Sequence, residues 1–273
     1  MAELRHVFLM CPPEYFTVAY IINPWMHGNM RKIDNALAKQ QWRSLYDILC
    51  DRATVRLVLP QPGSPDMVFT ANAGLVKGNK VIVSRFKSRE RQAEEPYLRA
   101  WFKENGFTIA DWPQHVAFEG AGDALLDRGR PLLWIGHGFR TDAAAPALVA
   151  TAFGCETAAL ELVDPRFYHL DTCLCPLEGG WLLYYPAAFA PEAQDKIRAM
   201  VPADKLIEVS EADAAHFACN SVNIGQFVVL NRASDELQLR LRRAGFVPIQ
   251  TALSEFMKSG GAAKCLTLKL VEA

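Results

Sequence analysis

A cysteine, a histidine and two acids in this sequence could share one reaction, each in a polar motif between apolar runs. Cys265 follows Ser259-Gly260-Gly261-Ala262-Ala263 and heads the strand-like CLTLKL. A small-residue turn can expose a thiol to a pocket, and a neighbouring cation that lowers its pKa makes it nucleophilic. The plainer reading is packing, since free cysteine is among the most buried residue types. His169 lies in YHLDTCLCPL. If that stretch is a strand, His169 and Asp171 share a face at a spacing of two. They would then pair an acid/base group with a cation-binding carboxylate. A core histidine held by a backbone carbonyl is the simpler account of His169 alone.

Glu119 and Asp123 flank two glycines in FEGAGDALL. A phosphate loop fails here, because Leu125 stands where the third glycine belongs. Two acids suit a cationic ligand better; a solvated hairpin turn is the bland alternative. Asn72, in DMVFTANAGLV, sits among apolar residues, where a carboxamide must find hydrogen-bond partners. Asn23 before Pro24 is ordinary turn chemistry. Arg91 and Arg140 are candidate carboxylate clamps through two-pronged guanidinium geometry, although most arginines are surface charges. Cys173 and Cys175 form a Cys-x-Cys without a second pair at zinc-site spacing, which favours packing.

These motifs recur at a steady interval. The step is 47 residues from Asn72 to Glu119, 50 to His169, 50 to Cys219 and 46 to Cys265. Around each motif a β-rich run leads in, a second follows, and an amphipathic helix comes next. VRLVLP, VIVSRF and the helical pattern 89–105 before Gly106 make one such unit; helices are also predicted over 144–153, from Pro191 to about 201, and over 234–244. The last unit lacks a second strand and helix, which HVFLM and the helical 32–50 can supply from the N-terminus. A repeat of about 50 residues that cannot bury its own apolar face implies stacking into a ring or propeller, with strand ends meeting at one axial pocket. An ordinary α/β sheet gives a similar alternation, and pattern alone leaves the two open.

Composition narrows the partners. The 29 basic and 30 acidic residues nearly cancel, so nucleic acid and anionic membrane are disfavoured and a small molecule is expected. No apolar run reaches the ~18 residues of a membrane span. The N-terminus lacks a signal-peptide pattern, and seven scattered cysteines suggest reduced thiols, so the expected location is the cytoplasm.

Taken together, Glu-Gly-x-Gly-Asp, His-Leu-Asp-Thr and a late Gly-Gly-x-x-x-Cys resemble the guanidine-modifying superfamily of arginine deiminases, dimethylarginine dimethylaminohydrolases and amidinotransferases. The stretches FLMCPPEYF, INPWM, PDMVFTANAGLV, FEGAGDALL, FYHLDTCLCPL and GGAAKCLTL are more similar still to the catalytic domain of cyanobacterial arginine dihydrolases, across essentially the whole chain. The resemblance implies a five-bladed pseudo-symmetric α/β propeller spanning 1–273 as a single catalytic domain. It implies Cys265 as nucleophile, His169 as general acid/base, and Glu119 and Asp171 as guanidinium-binding carboxylates. Asn23, Asn72, Arg91, Asp123 and Arg140 match positions that line the same pocket, and Ser259 puts a hydroxyl near its floor. The chemistry needs no metal or organic cofactor; the partner is arginine or a methylarginine, and self-association stays open.

One position separates the relatives. Deiminases carry Phe-Thr-Arg-Asp where this chain has Phe69-Thr70-Ala71-Asn72, and asparagine there resembles the dihydrolases, which carry arginine past citrulline to ornithine, carbon dioxide and two ammonia. The cyanobacterial proteins carry a further C-terminal region linked to ornithine metabolism. Dimethylarginine hydrolysis, simple deimination and a non-catalytic arginine-binding propeller are the competing readings.

Overall fold

The computed structural model describes residues 6–271; positions 1–5 and 272–273 of the predicted 1–273 unit lie outside the described residues. Among the described residues, fifteen strands form five three-stranded sheets. Each sheet has the same build: an inner strand, an antiparallel middle strand, then a helix leading to an outer strand parallel to the middle one. The second blade contains Gly74–Lys77, Lys80–Val83 and Thr108–Ile109; the third Ala124–Leu126, Leu132–His137 and Glu156–Glu161. The fourth contains Leu174–Leu177, Trp181–Tyr184 and Leu206–Glu208; the fifth Val222–Ile224, Phe227–Leu230 and Val247–Gln250. The first blade is assembled from both ends of the chain. Leu268–Val271 is its inner strand, antiparallel to Val7–Met10, which runs parallel to Thr54–Leu57. The five inner strands enclose one axis, as residues from all of them line a single central cavity.

The propeller that the resemblance implies, one of the two architectures the repeat left open, is the fold observed, with the repeat's frame moved by one strand. The β-rich run before each motif closes the preceding blade, and the motif opens the next. The reason is topological: a parallel strand pair requires a crossover, so the chain leaving each helix returns to the sheet that helix covers.

The helices form where capping and apolar spacing agree. Asp34 accepts hydrogen bonds from the amides of Ala36 and Leu37, opening Asn35–Cys50, whose Ala38, Trp42, Leu45 and Leu49 are buried on one face. Ser234 caps Asp235–Arg243, which buries Leu237 and Leu241. The single helix predicted over 89–105 is two: a short turn Arg89–Gln92, then Glu95–Glu104. Pro96 explains the break, since it has no N–H and tolerates only a helix's first turn. Three apolar clusters fill the spaces between blades; Phe118, Ile82 and Leu133, for example, pack between the second and third. Full burial of one such side chain contributes roughly 1.5–3 kcal/mol.

Candidate active site

Each inner strand is preceded by a tight turn at the same end of the ring, and these turns carry the candidate residues. Thr70–Ala73 and Gly120–Gly122 are 3-10 turns that place Asn72, Glu119 and Asp123. The expected strand at His169 is instead the 3-10 turn Leu170–Thr172, with His169 just before it and Asp171 inside it. Alternation across a strand therefore does not orient this pair: His169 turns to Glu119, and Asp171 to Cys265. Cys265 likewise sits in a turn ahead of its strand.

Cys265 is buried, and its Sγ lies 3.5 Å from Asp171 Oδ2. Asn220 holds the thiol from the other side. Its Nδ2 donates to Cys265 Sγ at 3.1 Å and to the Asp171 carbonyl at 2.9 Å, and its Oδ1 accepts from the amides of Ala262 and Cys265. The rhythm of motifs pointed to Cys219 in this blade, and that residue packs in the core. The side chain that reaches Cys265 is its neighbour Asn220. The signal available was the one that marked Asn72, a carboxamide between apolar residues in HFACNSVNIG. Phe217, buried at φ 58°, bends the chain ahead of Asn220; a bulky residue in the left-handed region stores strain of order 1–3 kcal/mol.

Glu119 is completely buried. Its Oε2 accepts from Arg140 Nη1 at 3.2 Å and lies 2.8 Å from His169 Nε2, while Oε1 accepts from the Lys87 amide. Burial alone would push this carboxyl up, but the Arg140 guanidinium and the His169 contact outweigh it and hold it down at about 2. Asp171 goes the other way. Burial carries it up to about 7 against the pull of the Lys264 ammonium and the Cys265 and Asn220 hydrogen bonds. Burial and the Asp171 charge push the Cys265 thiol up as well, which favours the neutral form.

A narrow cavity of about 260 Å³ opens beside Cys265, and Asn23, Asn72, Arg91, Arg140 and Ser259 all line it. Neither arginine is the surface charge that base composition suggests. Arg91 Nε and Nη2 bind both oxygens of Glu94 at 2.8 Å, and its Nη1 donates to Asn72 Oδ1 at 2.8 Å. Asn72 Nδ2 donates to the Glu119 carbonyl at 3.0 Å, which fixes which end of the amide faces which neighbour. Asn23 Oδ1 accepts from Trp25 and Met26, and its Nδ2 donates to the Ser259 carbonyl, latching residues 23–26 to the turn before Cys265. Arg140 Nη2 adds a bond to the Ile22 carbonyl.

Asp123 does not line this cavity. It stands beside the imidazole with Oδ2 3.9 Å from His169 Nε2, and its Oδ1 accepts from the Leu170 amide. His169, Glu119 and Asp171 lie just behind the wall, joined to it through Arg140 and Cys265. Asp66, which sequence reasoning passed over, does line it. Its carboxylate is buried and accepts from Tyr20 Oη at 2.9 Å and Ser259 Oγ at 3.1 Å. The Ser259 hydroxyl therefore orients an acid.

The turns tolerate little side chain. A Cβ on Gly122 would stand 2.3 Å from Asn72 Nδ2, and one on Gly260, at φ +87°, would stand 2.8 Å from Tyr168 Oη. The resulting arrangement is a neutral thiol beside a carboxylate, an imidazole beside a second carboxylate, and arginines and amides along the approach. It suits a planar cation attached to a polar tail.

Comparison with known proteins agrees with this chemistry. The chain is 52% identical over 265 residues to the bifunctional arginine dihydrolase/ornithine cyclodeaminase AgrE of Nostoc sp., a match that covers 97% of this chain and 38% of the relative. The chain thus spans well under half the length of that protein. It is 41% identical over 264 residues to the N(G),N(G)-dimethylarginine dimethylaminohydrolase of Mycobacterium tuberculosis, covering 96% of this chain and 85% of the relative. The crystal structure of the N-terminal domain of ArgZ bound to substrate, an arginine dihydrolase from cyanobacteria, matches with a TM-score of 0.97 and 50% identity, covering 98% of both chains. A family model described as N,N dimethylarginine dimethylhydrolase, eukaryotic, matches residues 21–272. By these matches, the chain belongs to the dimethylarginine dimethylhydrolase family of guanidine-modifying enzymes.

Proposed function

We propose that this protein hydrolyses the guanidino group of free arginine through a covalent intermediate on Cys265, and that it carries the product on to ornithine, carbon dioxide and two ammonia. The observation that supports this best is the Cys265 thiol 3.5 Å from the buried Asp171 carboxylate. That pair disfavours a thiolate until a cation enters, so the substrate itself promotes the ionisation that makes the sulfur reactive.

In this reading Glu119 and Asp171 hold the guanidinium so that its central carbon faces Sγ. The thiolate adds to that carbon, and ammonia leaves with a proton from His169. His169 then takes a proton from the water that attacks the amidino-thioether and releases Cys265. Arg91, Arg140, Asn23 and Asp66 face the amino-acid end, where guanidinium groups and a buried acid complement a carboxylate and an ammonium. Asn72 serves the second round, because an amide offers both donor and acceptor to a neutral ureido group, whereas an aspartate only accepts. The small-molecule substrate and a cytoplasmic location belong to the same proposal.

Purified protein incubated with arginine is expected to yield ornithine and ammonia in a ratio of about 1:2 by amino-acid chromatography and ammonia assay, following the two successive hydrolyses. Accumulation of citrulline alone would contradict the dihydrolase reading. Asn72→Asp should shift products toward citrulline, since it removes the donor that bonds the Glu119 carbonyl.

The dimethylarginine relative at 41% identity favours a second reading, hydrolysis of methylated arginine. Methyl groups remove donors and add bulk, which the narrow cavity opposes. Competition between arginine and asymmetric dimethylarginine in one assay decides between them.

A further inference from the structure

The reaction proposed for Cys265 draws on Arg91, Asn72 and Glu119, and a buried acid behind them has no part in it so far. Glu94 is 1% exposed and does not line the cavity at Cys265. It stands three residues after Arg91, a spacing that brings two side chains together on one face of a helical turn. The short helix Arg89–Gln92 supplies that turn, and the Glu94 amide donates to the Arg91 carbonyl at 3.0 Å.

The two side chains meet as a fork. Arg91 Nε and Nη2 each lie 2.8 Å from one oxygen of Glu94. Two parallel bonds fix the plane of a guanidinium as well as its position. The Phe86 ring supports that plane, its centroid 4.5 Å from Arg91 Cζ, and Nη2 also donates to the Asp66 carbonyl at 3.0 Å. Nη1 is the nitrogen that the fork leaves over, and it donates to Asn72 Oδ1 at 2.8 Å. Asn72 Nδ2 donates in turn to the Glu119 carbonyl at 3.0 Å. Turned over, the amide would set its NH2 against Nη1 and its oxygen against the Glu119 carbonyl. Donor would then face donor and acceptor would face acceptor. A guanidinium has no acceptor and keeps its proton, so Arg91 forbids that turn only while it is held in place.

We propose that Glu94 is a positioning residue: through Arg91 it fixes the orientation of the Asn72 carboxamide, and so sets whether a neutral ureido group is held for a second hydrolysis. This role rests on the dihydrolase reading. Asn72 lines the cavity, and its amide keeps one donor and one acceptor beyond those already bonded. A cationic guanidinium is drawn in by acids whatever the amide does, whereas a neutral group is recognised by placed hydrogen bonds alone. Loosening Asn72 therefore penalises the second round more than the first.

Glu94→Gln in the full chain tests this, with three readouts. Arginine should give a citrulline-to-ornithine ratio about tenfold or more above that of the parent, the measure of one charge-assisted hydrogen bond. In nitrogen-proton correlation spectra the two Nδ2 protons of Asn72, identified by their loss in Asn72→Asp, should draw together in shift as the bonded one is released. The KM for arginine reports separately on Arg91 as a carboxylate clamp. A raised KM with the parent's product ratio and unmoved Asn72 signals would make Glu94 a support for substrate binding only, and overturns the proposal. Should Glu94→Gln fail to fold, the charge-free pair Arg91→Met with Glu94→Met leaves no buried ion unpaired. The same shifts in ratio and signals are expected there, and their absence is equally fatal. A parent that releases citrulline alone sinks the dihydrolase reading and this role with it. A parent that makes ornithine beside a Glu94→Gln variant with the same ratio sinks the role of Glu94 alone.

Discussion

Asn220 answers to both the backbone and the sulfur of Cys265, and this double duty makes it the residue most worth testing after Cys265 itself. Asn220→Ala leaves the buried amides of Ala262 and Cys265 without their acceptor, a cost of about 1–3 kcal/mol for each unsatisfied group. A fall of several degrees in melting temperature and a loss of turnover larger than the loss of arginine affinity are expected. Asp171 carries a pH signature. A carboxyl raised to about 7 must ionise to hold a guanidinium, so kcat/KM for arginine should climb as pH rises and level off above about 7. The same shift weakens the fold. The unfolded chain ionises this group near its ordinary value while the folded chain keeps the proton, so its contribution to stability falls from pH about 4 to about 7. Asp171→Asn should therefore raise the melting temperature at pH 8, leave it nearly unchanged at pH 4, and abolish turnover. Glu119 has the opposite sign. With its carboxyl held at about 2, its contribution is full above the ordinary carboxylate range and is lost as pH falls toward 2.

At the scale of the element, tight turns do the positioning. Turns at the ends of inner strands bring side chains from different blades within hydrogen-bond distance, provided the backbone can come close. Gly122→Ala puts a methyl 2.3 Å from Asn72 Nδ2, and overpacking of this kind costs about 1–3 kcal/mol. A lower melting temperature is expected, together with a disproportionate loss of activity as Asn72 leaves the Glu119 carbonyl. An active, fully stable Gly122→Ala variant would show that the turn has more room than the geometry allows. The helices were legible because Ser234, Asp34 and the apolar stripes are local signals. The strand assumed for YHLDTCLCPL was not, because β-rich residues continue into the real strand Leu174–Leu177 and hide the 3-10 turn before it.

At the scale of the whole molecule, the ring is closed by its own ends. Leu268–Val271 pairs with Val7–Met10, and Thr70 Oγ1 donates to the carbonyls of both Leu9 and Leu266, tying that seam to the next motif. A chain ending at Thr267 loses the inner strand of the first blade and a wall of the axial cavity. It is expected to lose cooperative unfolding by calorimetry, whereas trimming a terminal strand from an open sheet only shortens one edge. A sharp transition retained in the truncated chain would argue against ring closure as the source of cooperativity.

The order of the motifs, their steady interval and the identity of Cys265, His169, Glu119 and Asp171 were all in the sequence, because residue type and local periodicity are properties of the chain alone. Tertiary structure decided the rest. It set Asn220 in place of Cys219, moved Asp123 from the cavity wall to the side of His169, and added Asp66 to that wall. It also set Lys264 on the central cavity and its neighbour Cys265 on the other. These are contacts across tens to hundreds of residues, and which of two adjacent side chains turns inward depends on backbone angles that composition and spacing do not encode.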